Sequence, residues 1–432
     1  MKYNYRTAAG KPFTWDSKNN HILDTDGDRL DIGNKIQQCS HGVVFPSTKQ
    51  TPNPSTIKII LGHACNYDCS YCMQKDLGDP TERKRNHKLE GMFAALDKQV
   101  EQVQQFQLWG GEPLLYWADC KAFIERYDKE GVDWLIVTNG SLLRNKHIDY
   151  FDAMVGNAII VISHDGPAQL TLRGVDPLDK ERTIQTLQYA DKLGVGYNFN
   201  CVLTQDNYDV VAIEDWFTEA YTKHGLQMGM LSLTVGLSYE MDYGSGSAAY
   251  VIQGNTLTLF KESIRRAIKR HSDNMWFDPT GRPQWDSSRV AGYYFSGKGT
   301  ASVLETAFKA ASGAIVPRYH ACGANHPQVI SLDMDTNVRP CPHVGKAFNS
   351  GTLDSLPDVE LKQVVERTSC HECRVYSLCQ GGCPLNLHAA HFRLNCDVQK
   401  AWYGEILDAA LEFLLKEPVR RVDNTIQMVN LT

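Results

Sequence analysis

The chain has 432 residues, of which 42% are hydrophobic; that excludes a generally disordered protein and leaves room for two or three domains. Lys and Arg number 44 against 50 Asp and Glu, a formal charge of -6, and no long basic block offers a surface for nucleic acid or anionic lipid. No apolar run reaches the roughly 20 residues that span a bilayer, and residues 1–20 lack a secretory core, so no membrane association and a cytoplasmic location are expected.

Residues 1–55 are polar and turn-rich and end in PSTKQTPNPS, which predicts an extension wrapped around the main domain. Over 56–234, the short apolar segments TIKIILG, FQLWG, WLIVTNG, AIIVIS, YNFNCVL and MGMLSL alternate with stretches such as GMFAALDKQVEQV, CKAFIERY and ERTIQTLQYADKLG, whose apolar positions recur at helical spacing. Six such units predict an α/β fold with a partial (β/α)6 barrel; a flat doubly wound sheet is the alternative. Residues 235–318 break the rhythm and read as a bridge containing the helices TLTLFKESIRRAIKR and ASVLETAFKAA. In 319–398, regular structure is sparse and cysteine frequent, which suits a metal-organised module. Residues 399–432 supply a terminal helix, AWYGEILDAALEFLLK, and a tail.

Ten of the 13 cysteines fall into two spaced groups, which argues for metal chemistry over disulfides. Cys65, Cys69 and Cys72 share the loop after the first predicted strand in a CxxxCxxC spacing. Three thiolates on a four-iron cube leave one iron open to a small molecule. Zinc or a fully ligated electron-transfer cluster is the competing reading, and the loop's place at the carboxyl end of a barrel strand favours an active site over both. The distal group comprises Cys322, Cys341, Cys370, Cys373, Cys379, Cys383 and Cys396. Cys39, Cys120 and Cys201 fall outside both groups, and the last two suit ordinary buried packing.

The segment CNYDCSYC, followed by LWGGEP after the second strand, resembles the signature and glycine-rich motif of the radical S-adenosylmethionine superfamily. The distal spacing, CxxCxxxxxCxxxC above all, resembles the SPASM extension of peptide maturases in that superfamily. The resemblance leaves residues 1–55 uncovered. It implies that Cys65, Cys69 and Cys72 hold a reducible [4Fe-4S] cluster that binds S-adenosyl-L-methionine. Cys370, Cys373, Cys379 and Cys396 would enclose an outer auxiliary [4Fe-4S] cluster, and Cys322, Cys341 and Cys383 an inner one, three clusters in all. The inner set is one ligand short, a place for His326, Cys39, water or substrate. Thr336 also stands where relatives carry a glycine.

For the cofactor, the resemblance implies Tyr71 beside adenine, Gly110 and Gly111 close to the ligand, Glu112 at the methionyl ammonium, and Ser163 and Asp165 at the ribose. Thr138 and Asn139 mark the third strand's mouth, Arg173 is a partner for the cofactor carboxylate, and Asn198 and Asn200 are pocket candidates. His343 is the candidate proton acceptor, and His63, Tyr67, Tyr319 and His320 are candidate channel residues. The implied activity is hydrogen abstraction from a ribosomally made precursor peptide, with or without a leader, served by a flavodoxin- or ferredoxin-like electron donor. An intramolecular crosslink is the favoured product. The alternatives are a formylglycine-generating maturase, whose cysteine-aspartate pattern is absent because Pro342 and His343 follow Cys341, a carbohydrate or small-molecule radical enzyme, and a nonenzymatic iron-sulfur scaffold.

Overall fold

The computed structural model describes residues 2–17, 21–30, 53–72, 74, 87–227, 230–234, 249–272, 275–277, 283–285, 307, 324, 326–346, 349–353, 355, 370, 373–379, 381–383, 389–416 and 418–422. The amino-terminal segment forms β1 (Lys2–Thr7), β2 (Pro12–Asp16) and β3 (His21–Leu23), an antiparallel meander. Its alternate residues Tyr3, Tyr5, Phe13 and Trp15 are buried, so the strands have one apolar face that must be covered.

The six expected barrel strands are present as β4 (Thr56–Ile60), β5 (Gln105–Trp109), β6 (Asp133–Thr138), β7 (Asn157–Ser163), β8 (Gly196–Val202) and β9 (Met230–Thr234), each parallel to its neighbour in that order. Helices α1 (Glu90–Leu96), α2 (Trp117–Tyr127), α3 (Asn145–Asp152), α4 (Gln169–Arg173), α5 (Glu181–Leu193) and α6 (Val210–His224) occupy the crossovers. The α6 boundaries follow from local chemistry. The Asp209 carboxylate accepts from the Val211 and Ala212 amides, and Gly225, at φ 59°, takes the left-handed turn that ends the helix. The first helix stops at Leu96, well short of the apolar periodicity running to Val103.

Along each strand one parity is fully buried, for example Ile57 and Ile59, Phe106 and Leu108, Trp134 and Ile136, or Phe199 and Cys201. The other parity, including Lys58, Gln107, Leu135, Val161 and Asn200, lines one hollow. A sheet whose strands all face the same hollow is curled, and the flat doubly wound alternative is set aside.

After β9 come α7 (Gly254–Ser272) and the short antiparallel pair β10 (Met275–Phe277) and β11 (Pro283–Trp285). The second expected bridge helix, 301–311, lies outside the described residues except Ala307. The C-terminal region then enlarges the barrel. β12 (Val329–Asp333) pairs parallel with β4, from Val329↔Thr56 to Asp333↔Ile60, and is followed outward by antiparallel β13 (Asn337–Arg339) and β14 (Gly351–Thr352). A short α8 (Tyr376–Cys379) precedes α9 (Ala389–Leu415), which starts upstream of the expected terminal helix and carries Cys396. Among the described residues no helix is long and apolar enough to cross a membrane.

β15 (Val419–Arg421) closes the chain by pairing antiparallel with β1, so the two ends of the described chain share one sheet. That sheet is docked by Trp15, fully buried, whose indole N–H donates to the Arg374 carbonyl at 3.1 Å. The Arg374 guanidinium in turn donates to the Tyr5 hydroxyl at 2.7 Å and to the Asp408 carboxylate on α9. Arg374 directly follows Cys373. The extension thus caps the distal cysteine region. Trp15→Ala is expected to cost about 3–5 kcal/mol, read as a lowered unfolding midpoint in urea with intact m-value.

Candidate active site

The loop after β4 is shaped by backbone bonds to the loop after β5. Gly111 N–H donates to the Gly62 carbonyl, and Glu112 N–H to the Ala64 carbonyl, both at 2.9 Å. A Cβ on Gly110 would lie 2.5 Å from the Gly62 oxygen, and one on Gly111 2.5 Å from the Ala64 oxygen, so only glycine permits this approach. The Ala64 N–H donates to the Tyr116 hydroxyl at 2.9 Å. Cys72 lies close enough to disfavour ionisation of Cys65 and Cys69, while burial is the main cause that pushes the Cys69 thiol up to about 12. Cys65 Sγ accepts from Tyr67 N–H at 3.4 Å, a donor suited to a thiolate.

Glu112 lies beneath this loop, fully buried. It accepts from Leu114 N–H and the Thr138 hydroxyl on one oxygen and from Asn139 N–H on the other. Burial lifts its carboxyl to about 7 against the pull of those three donors. Its oxygens therefore tie the glycine-rich turn to the end of β6. Asn139 extends the tie, donating to the Asn66 side chain at 2.9 Å and approaching Cys65 Sγ at 3.9 Å.

Asp165 is likewise buried and engaged. It accepts from Arg173 at 2.7 and 3.2 Å, the Tyr71 hydroxyl at 2.7 Å and Val202 N–H at 3.0 Å. The Arg173 guanidinium also lies 5.5 Å from the Tyr71 ring centroid. Arg173 is thus a buried partner of Asp165, already engaged where the sequence offers it to the cofactor carboxylate. A residue the sequence did not single out, His164, braces the same turn. Its Nδ1 accepts from Gly166 N–H and its Nε2 faces Asp176, each at 3.0 Å. A histidine between a strand and a glycine turn was the available signal.

Tyr71 and Arg173 border a cavity of about 650 Å³. Cys65, Cys69, Cys72, Tyr71, Gly110, Gly111, Thr138, Asn139, Ser163, Arg173 and Asn200 line it. Asn198 faces the same side of β8 one layer deeper, with a buried Oδ1 that has no hydrogen-bond partner among the described residues. His343 is on the wall, its ring 5.2 Å from that of Trp109, and Tyr67 is there too, its phenol pushed up to about 12 by burial. His63 is buried in the loop.

The distal cysteines reach the same cavity in two groups. Cys379 is half-buried, and its thiol is raised by desolvation first and then by Cys373, Cys396 and Cys370, so these four converge. Cys341 and Cys383 instead pack with Ala324 and Val344. His326 lies at the turn before β12, where its Nδ1 accepts from Gln328 N–H at 3.1 Å. Cys322, Cys39, Tyr319 and His320 lie outside the described residues. Cys120 and Cys201 are fully buried in the core, as expected. Among the described residues no three Cys, His, Asp or Glu close around a single ion. Lys58, Gln74, Gln107 and Trp109 also line the cavity and were not anticipated. The lone lysine within TIKIILG was the visible signal.

Residues 59–217 match the family model of the radical SAM superfamily. Over 174 residues the chain is 27% identical to the radical SAM cyclopropyl synthase TigE of Paramaledivibacter caminithermalis, covering 35% of this chain and 36% of TigE. It is 34% identical over 95 residues to GTP 3',8-cyclase of Campylobacter jejuni, covering 21% and 28%. The chain therefore spans about a third of the length of the curated relatives it matches. Among solved structures, anSMEcpe with bound AdoMet is similar over 84% of this chain and 98% of its own, at a TM-score of 0.57 and 16% identity. Streptococcus suis SuiB bound to precursor peptide SuiA is similar over 78% and 73%, at 0.50 and 17%. These likenesses establish the fold, an α/β radical SAM architecture with a C-terminal auxiliary region.

Proposed function

We propose that this chain, with its radical SAM domain over residues 59–217, is an S-adenosylmethionine-dependent enzyme that modifies a ribosomally made peptide. The observation that carries the reading is the shared cavity, onto which three cysteines of the first loop and six of the C-terminal region open together. A site that only stored electrons would have no use for a hollow of this size between its cysteine groups.

The residues fit the implied groups. Cys65, Cys69 and Cys72 form a three-thiol set, and the Gly110–Gly111 turn lines the cavity while packing so closely on the Gly62 and Ala64 carbonyls that any Cβ would collide with them. They would hold the [4Fe-4S] cluster and the cofactor's methionyl end. When bound, cluster and cofactor supply a 5'-deoxyadenosyl radical able to take hydrogen from a substrate carbon. The chain's own residues prepare the place. Glu112 locks the cradle to Thr138 and Asn139, the Asp165–Arg173 pair fixes Tyr71 at the wall, and Ser163 and Asn200 offer polar groups from adjacent strands. Because the Asp165 and Glu112 oxygens, the Thr138 hydroxyl and the Asn139 side chain are all engaged within the protein, Ser163 is the stronger candidate for a direct cofactor contact. His343 stands where it could accept a proton, its ring held against Trp109.

Cys370, Cys373, Cys379 and Cys396 would hold an outer auxiliary cluster, and Cys341 and Cys383, with Cys322, an inner one. With His326 Nδ1 engaged at its own turn, an open or substrate-filled fourth position on the inner cluster is favoured. The product we favour is a crosslink within the peptide, and the electron source a flavodoxin- or ferredoxin-like protein. Anaerobic reconstitution of the full chain with iron and sulfide, followed by reductant and S-adenosylmethionine, is expected to yield 5'-deoxyadenosine. A peptide encoded beside the gene should lose two hydrogens by mass spectrometry. An iron-loaded protein that cleaves no cofactor would overturn the reading. Cleavage that leaves every peptide unchanged would move it to a small-molecule substrate.

A further inference from the structure

Strands β6 and β7 each turn one row of side chains into the hollow. On the opposite row Trp134, Ile136, Ile160 and Ile162 are buried. On the hollow-facing row Leu135, Val137 and Val161 are only half-buried and line the cavity, and Ile159, in the same row, is 37% exposed. The strand register sets Leu135 against Ile159 and Val137 against Val161. Four aliphatic side chains therefore form one block, two on each strand. With strands about 5 Å apart and alternate residues about 7 Å apart along a strand, its face matches a single branched aliphatic side chain. A closed barrel packs such residues against one another across its axis. Here they look into the cavity.

Elsewhere on the wall, polar groups are engaged with one another. The Trp109 indole N–H donates to the Gln107 side chain at 3.0 Å, and Gln107 donates to Gln105 at 2.5 Å. The Gln74 side chain donates to the Pro342 carbonyl at 3.2 Å. The aliphatic block instead keeps part of its surface turned to the hollow, and apolar surface of that kind favours a ligand that removes it from water. The block also lies close to the chemistry. Ser163, the stronger candidate for a direct cofactor contact, follows Val161 by two residues on the same face of β7, about 7 Å further along, and lines the same cavity. A side chain resting on Val137 and Val161 therefore sits one layer below Ser163, in the hollow onto which the first cysteine loop opens.

We propose that this block seats an aliphatic side chain of the substrate peptide, a valine, leucine or isoleucine, and that this residue gives up the hydrogen. One hydrogen atom passes from a side-chain carbon to the cofactor's 5' carbon, so one C–H bond breaks, one forms, and 5'-deoxyadenosine results. The inference rests on the peptide-modifying reading above and adds the chemical class of the residue attacked. Leu135, Val137 and Val161 are its specificity-determining residues, since a larger side chain there makes the seat shallower and a smaller one makes it deeper.

The test uses the full chain, reconstituted anaerobically, and the peptide encoded beside the gene, prepared in versions that each carry one residue type deuterated in its side chain. Deuterium is expected to enter 5'-deoxyadenosine from the valine, leucine or isoleucine version and from no other. The donor position, located by mass spectrometry, is then varied among alanine, valine, leucine and phenylalanine, with the four peptides competing in one reaction. Val161→Phe is expected to shift relative turnover about tenfold towards alanine, and Leu135→Ala about tenfold towards the larger side chains, the scale on which an apolar pocket distinguishes one methylene. Because this preference is a ratio within one preparation, partial loss of folded protein does not imitate it, and Leu135→Ala serves if Val161→Phe does not fold. Deuterium arriving only from polar or aromatic residues would overturn the proposal, as would a size preference that neither variant moves. Altered S-adenosylmethionine affinity beside an unmoved peptide preference would overturn it too, by giving the block to the cofactor. If wild-type protein modifies the peptide while failing this test, only the role of the block falls; if it leaves the peptide unmodified, the parent reading falls and takes this inference with it.

Discussion

Cys69→Ala is expected to lower 5'-deoxyadenosine formation by more than about 100-fold, beyond the range that loss of a group merely orienting a metal ligand brings. Cys69 is the innermost of its trio, 9% exposed, and its carbonyl accepts the Cys72 N–H at 3.0 Å in the turn that presents both thiols. Alanine keeps that backbone turn and removes only the sulfur. Iron content should fall while the distal sites stay loaded, since Cys370, Cys373, Cys379 and Cys396 form a separate group. Iron and sulfide analysis alongside cofactor cleavage distinguishes the two losses. Cleavage at the wild-type rate would show that Cys69 binds no catalytic iron.

Arg173→Met should destabilise the fold by about 3–5 kcal/mol, because it strands a buried carboxylate. Asp165 is fully buried, and Arg173 supplies two of its hydrogen bonds; Tyr71 and Val202 supply the others described above. Adding Asp165→Asn removes the charge and is expected to recover part of the loss. The double variant should therefore be more stable than Arg173→Met alone in chemical denaturation. Equal losses in both variants would mean that the pair is not electrostatically coupled. Cofactor affinity should fall in each, since Tyr71 loses a neighbour that holds it at the cavity wall.

Local signals carried far in this chain. The six barrel strands announce themselves as short β-branched or aromatic runs between helical periodicities, and spacing alone separates Cys65, Cys69 and Cys72 from the distal set. What stayed hidden depends on contacts between distant residues. Tyr3, Tyr5, Phe13 and Trp15 alternate as a strand pair should, but their polar, turn-rich setting masked the pattern, and their partner β15 lies at the opposite end of the sequence. The engagement of Glu112 and Asp165 was equally invisible. A carboxylate in a motif looks available until the backbone amides and guanidinium that claim it are brought near by folding. Lys58 was legible in principle, as a charge at an inward position of an apolar strand.

The placement of β12 beside β4 bears on how the molecule is made. Ser55 and Gln328, which meet at the start of this pairing, are 273 residues apart in the chain. On a ribosome adding about 5–20 residues per second, β4 waits on the order of tens of seconds for its outer neighbour. Until then its backbone edge is bare and prone to recruit a stranger. The nascent chain's first cysteine loop is thus finished long before the wall beside it, so iron delivery is best timed to follow release of the complete polypeptide.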